Sequence, residues 1–253
     1  MSLTDTGVLF IAGILAGTIN AVVGSGSLIT FPALLALGFP PVLANVTSNV
    51  GVLPGSIAST IAYRRQLAGR WKHLSVIAIF SGLGGIAGAL LLLQLPAAAF
   101  RMIVPSLIVI ALLLVVFGPA IKRWSEARAN GVDRPERKAL LFTAAGLTGV
   151  YGGYFGAAQG VVLLAFLPLL IKGGLQQANA YKNVLAGVAN FTAALVFVSL
   201  TQVAWWAALT IAVGSFLGGT IGGKYGQKLP QSVYRVFIVV VGLAALTYFF
   251  LTG

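Results

Sequence analysis

Apolar residues along the chain fall into ten runs, at 7–23, 28–38, 42–62, 74–95, 102–121, 139–156, 160–171, 177–200, 203–223 and 233–251, separated by short polar clusters. A helix needs about 20 apolar residues to cross a hydrocarbon core of about 30 Å. Most of the runs are near that length, so the pattern predicts an all-α fold, a polytopic bundle of transmembrane helices. Two runs are too short. As helices, 28–38 and 160–171 would rise only about 17 Å. Each follows a glycine-rich break, Gly24-Ser25-Gly26-Ser27 in one case and Gly156-Ala157-Ala158-Gln159-Gly160 in the other.

The one long polar stretch, 122–138, reads KRWSEARANGVDRPERK. It divides the chain into an N-terminal membrane repeat, 1–121, and a C-terminal one, 139–253. The halves match at an offset of 134. Asn45 and Asn49 meet Asn179 and Asn183, Trp71 meets Trp205, Ser81 meets Ser215, Pro96 meets Pro230 and Arg101 meets Arg235. Upstream the offset drifts to 132, where Gly17 and Gly24 meet Gly149 and Gly156. Low complexity aligns glycines and leucines by chance. It does not readily align asparagine, tryptophan, proline and arginine in one register.

Charge placement orients the halves. The loop 63–73 carries Arg64, Arg65, Arg70 and Lys72, while its copy near 201–206 carries no charge. The loop 96–101 holds one basic residue, while its copy holds Lys224, Lys228 and Arg235 nearby. Basic loops stay inside, so equivalent loops lie on opposite faces and the expected plan is an inverted-topology repeat. Inversion requires an odd number of crossings per half. Five spans satisfy this, and so does a re-entrant hairpin followed by three spans, with 7–23 and 28–38 as the hairpin. The short second arms favour broken or re-entrant elements. In both cases the linker 122–138 is cytoplasmic.

Composition agrees with the membrane reading. The chain is 58% hydrophobic and 8% charged, against about 25% charged in soluble domains. The formal charge of +12 sits in loops, where orientation explains it better than nucleic-acid binding does, so no nucleic-acid partner is expected. Residues 1–7 lack a basic region and carry Asp5, so the first run reads as a retained helix rather than a signal peptide. No cysteine is present, and the single histidine, His73, stands in a basic loop and reads as solvated. No metal, cofactor or catalytic motif is found, and an enzyme is not expected.

The candidate chemistry lies at the breaks and just after them. A helix that begins inside a membrane presents unpaired N–H groups and a partial positive charge, which suit anions. Gly24, Ser25, Gly26 and Ser27 precede one such start and add two hydroxyls. Gln159 offers an amide at the other. The second constellation is Asn45, Ser48 and Asn49 with its copy Asn179, Lys182 and Asn183. Asn45 and Asn179 read as helix caps, with Asn49 and Asn183 one turn further on the same face. Lys182 stands where the first half has Ser48. A lysine in or near hydrocarbon is costly and usually functional, although a lysine at the interface instead reaches the headgroups. The acidic residues Asp5, Glu126, Asp133 and Glu136 all lie outside the apolar runs. A cationic substrate would therefore lack a counter-charge, and the polar set favours a small anion. Arg101 and Arg235 begin spans and read as interfacial anchors.

The stretch GTINAVVGSGSLITFPALLALGFPPVLANVTSNVGVLPGSIASTIAYRR resembles the N-terminal signature of the TauE/SafE sulfite exporter family, also called the toluene-sulfonate uptake permease family. GVYGGYFGAAQGVVLL and ANAYKNVLAGVAN in the second half resemble it as well. The resemblance implies a secondary transporter of the bacterial inner membrane that carries sulfite, a sulfonate or another small organic anion such as a carboxylate. It departs at Gly24-Ser25-Gly26, where many relatives have three glycines. An anion channel is one rival reading, and a membrane scaffold or assembly factor that transports nothing is the other. The lipid bilayer and the anion are the expected partners, and oligomeric state is left open.

The absence of cysteine makes topology directly testable. Asn130→Cys in the linker should resist an impermeant maleimide added to intact cells and react after permeabilisation. Labelling in intact cells would reject a cytoplasmic linker.

Overall fold

The computed structural model describes residues 2–129, 138–171, 175–225 and 231–252. They form α1 (Leu3–Val22), α2 (Ser27–Ala36), α3 (Pro41–Ala62), α4 (Trp71–Gln94), α5 (Ala97–Ala129), α6 (Lys138–Tyr154), α7 (Gln159–Leu170), α8 (Leu175–Leu200), α9 (Trp205–Tyr225) and α10 (Gln231–Thr252), with a 3-10 turn at Arg64–Leu67. No strand occurs among the described residues. The chain is a helical membrane bundle. Leu3–Val22, Trp71–Gln94, Ala98–Ile121, Gln176–Leu200 and Trp205–Tyr225 are each long and apolar enough to cross a bilayer. Large side chains such as Ile79, Leu83, Val213 and Phe216 face outward. On a soluble protein that surface would demand a partner, and lipid supplies one.

Helix ends depart from the apolar runs for local reasons. α1 begins early because Ser2 and Asp5 cap it reciprocally. The Asp5 N–H donates to Ser2 Oγ at 3.1 Å and the Ser2 N–H to the Asp5 carboxylate at 2.8 Å. α5 continues through the polar stretch to Ala129, so the first eight residues read as linker are helical. Lys, Arg, Glu and Ala there are good helix formers. Lys138, the last linker residue, opens α6, and 130–137 lie outside the described residues.

Hydrogen bonds across the bundle give the helix directions. Trp206 donates to Thr6 and Thr18 to the Gly218 carbonyl, so α1 and α9 run parallel. The Ala204 N–H donates to Thr47 Oγ1 and the Gly55 N–H to Ser215 Oγ, so α3 runs with them. α4 and α6 run parallel to each other through Gly84 against Gly146 and Gly88 against Val150. α8 follows α4, since Ser81 meets the Leu185 carbonyl and Gly85 meets Ala189. The two sets oppose each other, because Asn49 pairs with Asn190 while Ser56 lies against Gly187.

Glycine faces allow this packing. α1 meets α9 through Gly13 and Gly17 against Gly214 and Gly218, and α4 meets α6 through Gly84 and Gly88 against Gly149 and Gly153. In these stripes an added Cβ would strike the facing backbone, which is the close approach that small residues permit in membranes. The serines within them make matching bonds. Ser81 Oγ donates to the Leu185 carbonyl and Ser215 Oγ to the Gly51 carbonyl, each at 2.8 Å. Both bonds join an N-terminal helix to a C-terminal one, so the halves are intertwined rather than side by side.

α1 and α3 point the same way, so the short α2 must return the chain between them. α7 does the same between α6 and α8. The hairpins α1–α2 and α6–α7 enter from opposite ends of the bundle, and Gly24 at one tip touches Gly160 at the other. α1 with α2 and α6 with α7 are therefore two helical hairpins that meet at their tips.

Gly24 has φ +86° and packs on Gly160, while Gly38 has φ +83° with nothing near its Cβ position. A left-handed alanine costs about 1–2 kcal/mol. Gly38→Ala should lose about that much stability, and Gly24→Ala clearly more, read as thermal midpoints in detergent. Equal losses would remove the tip contact from the account.

Candidate functional site

Both hairpin tips turn on a glycine in the left-handed region, Gly24 at φ +86° and Gly156 at φ +73°, where side chains are disfavoured. These are the residues aligned at the offset of 132. Ala158, the residue before α7, also has positive φ, at +60°. The Gly160 N–H donates to the Gly24 carbonyl at 3.0 Å. One N–H at the start of α7, expected to face a ligand, is therefore used by the opposite hairpin.

A helix that stops inside the bundle leaves its last carbonyls without partners. Lys182, on α8, reaches those of α1. Its Nζ donates to the Asn20 carbonyl at 3.1 Å and the Ala21 carbonyl at 3.2 Å. The side chain is 1% exposed and its stem passes Gly160, so Lys182 does not reach the interface. A cation at a helix C-terminus is also favoured by the dipole. An amine with three protons keeps one for another acceptor. At the end of α6 the equivalent position is served differently. Asn45 Nδ2 donates to the Tyr154 carbonyl at 2.9 Å. The expectation that Asn45 caps its own helix is corrected. Pro40 and Pro41 start α3 four residues earlier, and proline is preorganised for that position. Asn179 likewise lies inside α8, which begins at Leu175.

Ser48 is 2.6 Å from Thr30 Oγ1, hydroxyl to hydroxyl, and ties α3 to α2. Ser27 opens α2 and its Oγ lies near the open side of Gly156, as does Asn190 Oδ1. Gly26 is pressed against the Ala16 carbonyl. Gln159 folds back, with Nε2 donating to the Thr148 carbonyl at 3.1 Å and its amide filling the space beside Gly152. Asn49 Nδ2 makes a long contact of 3.5 Å with Asn190 Oδ1. What remains is informative. Ser25 Oγ, Asn49 Oδ1, Gln159 Oε1, Asn179 Oδ1 and Asn183 Nδ2 are all buried without a hydrogen-bond partner. Buried polar groups are nearly always paired, so these atoms are the candidate contacts for water or a polar ligand. No carboxylate stands among them.

Sequence reasoning missed Asn20, Thr30, Ser56 and Asn190. Asn20 Nδ2 donates to Ser56 Oγ at 3.1 Å, joining α1 to α3. Ser56 and Asn190 were findable. They align at the offset of 134 and stand two turns beyond Asn49 and Asn183 on the same helix faces. Asn20 and Thr30 are single polar residues in apolar runs and carry no such signal.

Two further expectations change. Arg235 lines a cavity of ≈ 50 Å³ beside the end of α1, with Asn179, Val22, Val161 and Gly118, so it is more than an interfacial anchor. Helix packing brings α10 there, which no local pattern encodes. His73 is not simply solvated. Its Nδ1 lies 3.3 Å from the Tyr181 hydroxyl, because α4 packs on α8. The side chain of Arg101 lies outside the described residues. No cluster of metal-ligating side chains occurs among the described residues.

The profile of the family "Sulfite exporter TauE/SafE" matches residues 9–249. The chain is 30% identical over 235 residues to "Probable membrane transporter protein YfcA" of Escherichia coli, covering 93% of this chain and 86% of that protein. It is 28% identical over 237 residues to a "Probable membrane transporter protein" of Haemophilus influenzae, covering 92% and 90%. A Bacillus subtilis protein, "Probable membrane transporter protein YunE", is 23% identical over 259 residues, covering 93% and 95%.

Hydrogen bonds from a charged group contribute about 1.5–3 kcal/mol each. Lys182→Met should therefore lower stability by about 3 kcal/mol or more through loss of the α1 end. Asn183→Ala, one residue on, should change it by under about 1 kcal/mol, since its Nδ2 has no partner to lose. An unmoved melting midpoint in Lys182→Met would show that Lys182 does not hold α1.

Proposed function

This chain belongs to the sulfite exporter TauE/SafE family and is a membrane transporter, and from that premise we propose that it is a secondary carrier exporting a small sulfur-containing oxyanion, sulfite or an organosulfonate, across the bacterial inner membrane. The observation that carries the reading is the pair of unpaired buried donors near the hairpin tips, the Ser25 hydroxyl and the Asn183 amide nitrogen, together with the incompletely paired amides of Asn49 and Asn179. An amide or hydroxyl can donate to an oxyanion, and which end of an amide faces the ligand is set by the network around it. Lys182 and Arg235 supply positive charge, and no acidic residue lines the cavity beside Arg235.

In this reading the anion enters beside Arg235 and Asn179 and passes to the tips, where Asn49, Asn183, Ser25 and the remaining Lys182 proton receive it. The two halves form an inverted repeat. Opposed directions of α1 and α6, and of α3 and α8, support that plan, as do the matching bonds of Ser81 and Ser215. Carriers of this plan bind near midplane and expose the site to each side in turn. The Gly24–Gly160 contact is the point about which the hairpins would shift. Export from a cell negative inside gains about 2.3 kcal/mol per charge per 100 mV, so outward movement of an anion needs no partner ion.

Proteoliposomes loaded with labelled sulfite should show saturable efflux, accelerated by counterflow and inhibited by organosulfonates. Asn49→Ala and Asn183→Ala should each raise the half-saturating concentration by about tenfold, from the loss of about 1.5 kcal/mol of bonding to a charged ligand. Flux without saturation or counterflow would indicate an anion channel. Inhibition by carboxylates alone would reject the sulfur substrate, and unchanged kinetics in both variants would reject the site.

A further inference from the structure

A groove of ≈ 500 Å³ runs between α3 and α9 at the end of the bundle that carries the basic 64–72 loop. Its upper rim is cationic, formed by Arg64 and Arg65 after α3 and by Lys224 in the last turn of α9. Its lower walls are apolar, formed by Ile61 at 50% exposure and Phe216 at 48%. Thr220 lies between. Phe216, Thr220 and Lys224 follow one another at four-residue spacing, so they stack on one face of α9 over about 12 Å. The order is apolar ring, hydroxyl, cation. None of the lining residues is acidic.

The groove exists because α3 and α9 approach backbone to backbone. Gly55 packs on Ser215, Gly219 on Gly55, and Gly223 on Ala62. Small residues at the seam leave the flanking side chains standing apart, with an open channel between them. The proposed ion path uses Ser25, Asn49, Asn179, Lys182, Asn183 and Arg235, and none of these lines the groove.

We infer that the groove is a binding site for an anionic phospholipid, whose phosphate group sits among Arg64, Arg65 and Lys224 while an acyl chain lies along Ile61 and Phe216. Both parts of the site are required by this ligand. A phosphate alone would use the three cations and leave the apolar walls unaccounted for. A neutral lipid would use the walls and leave the three cations of the rim without an anionic partner. Basic sites between membrane helices commonly hold acidic headgroups, and long basic side chains at the boundary place their charge at headgroup level. Two guanidinium groups can each give a phosphate paired hydrogen bonds, while Lys224 adds a point charge.

Native mass spectrometry of the whole protein in neutral detergent gives the test, with phosphatidylglycerol and phosphatidylcholine added in separate titrations. Phosphatidylglycerol should bind at least tenfold more tightly. Lys224→Gln and Arg65→Gln should each weaken it by about fivefold, the factor for one basic residue at an anionic surface. Lys224→Arg should keep it, and Phe216→Ala should weaken both lipids. Glycerol phosphate at millimolar concentration should fail to displace the bound lipid. Equal binding of the two lipids, wild-type affinity in both charge-removing variants, or displacement by glycerol phosphate would each overturn the proposal. The last result would identify the site as one for soluble phosphate. If Lys224→Gln misfolds, Arg65→Gln still decides.

Discussion

A helix that ends within an apolar bundle leaves its last carbonyl oxygens with no water to bond, and protein must supply the missing donors. α1 and α6 both end this way. Lys182 meets the end of α1 with two hydrogen bonds, and Asn45 meets the end of α6 with one. Neither donor comes from the hairpin it serves, nor even from the same half of the chain. Each half therefore completes the broken helix of the other. The tips then rest on one another through Gly24 and Gly160. Remove these contacts and the hairpins have no reason to stop where they do.

Glycine seams hold the bundle around the hairpins. α1 sits at backbone contact with α9, and α4 with α6. Gly17, Gly88 and Gly218 allow that because a Cβ at any of them would overlap a facing carbonyl. Ser81 and Ser215 place hydroxyls within those seams and satisfy carbonyls across them. Most of the unpaired buried atoms lie at or near the tips, which is where the proposed carrier would hold its ligand.

Lys182 is the residue whose reading changed most. From sequence it stood out because Ser48 occupies the equivalent position, and a membrane lysine invites a substrate role. Its place in the fold is first that of a helix cap. Two of its protons are engaged by carbonyls, so any attraction it exerts on an anion comes from the third proton and from its charge. Arg235 moved the other way, from an anchor to the wall of a cavity shared with Asn179. The amides at 49, 179 and 183 kept their candidacy because they are buried with unpaired atoms.

The sequence by itself determined the helices, the two breaks and the pairing of positions across the halves. Those properties depend on local hydropathy, on glycine at Gly24 and Gly156, and on residues repeated at a constant offset. Such signals survive without any knowledge of packing. It also marked Asn45, Asn49, Asn179 and Asn183, because polar residues in apolar helices are conspicuous. Only the tertiary structure decided that the breaks are hairpin tips in contact, that Asn45 and Lys182 bond to helices more than a hundred residues away, and that Asn20, Thr30 and Arg235 belong near the candidate site. The physical reason is reach. A helix cap or cavity wall supplied from another part of the chain is defined by where two backbones meet, and that meeting point is written in no single segment.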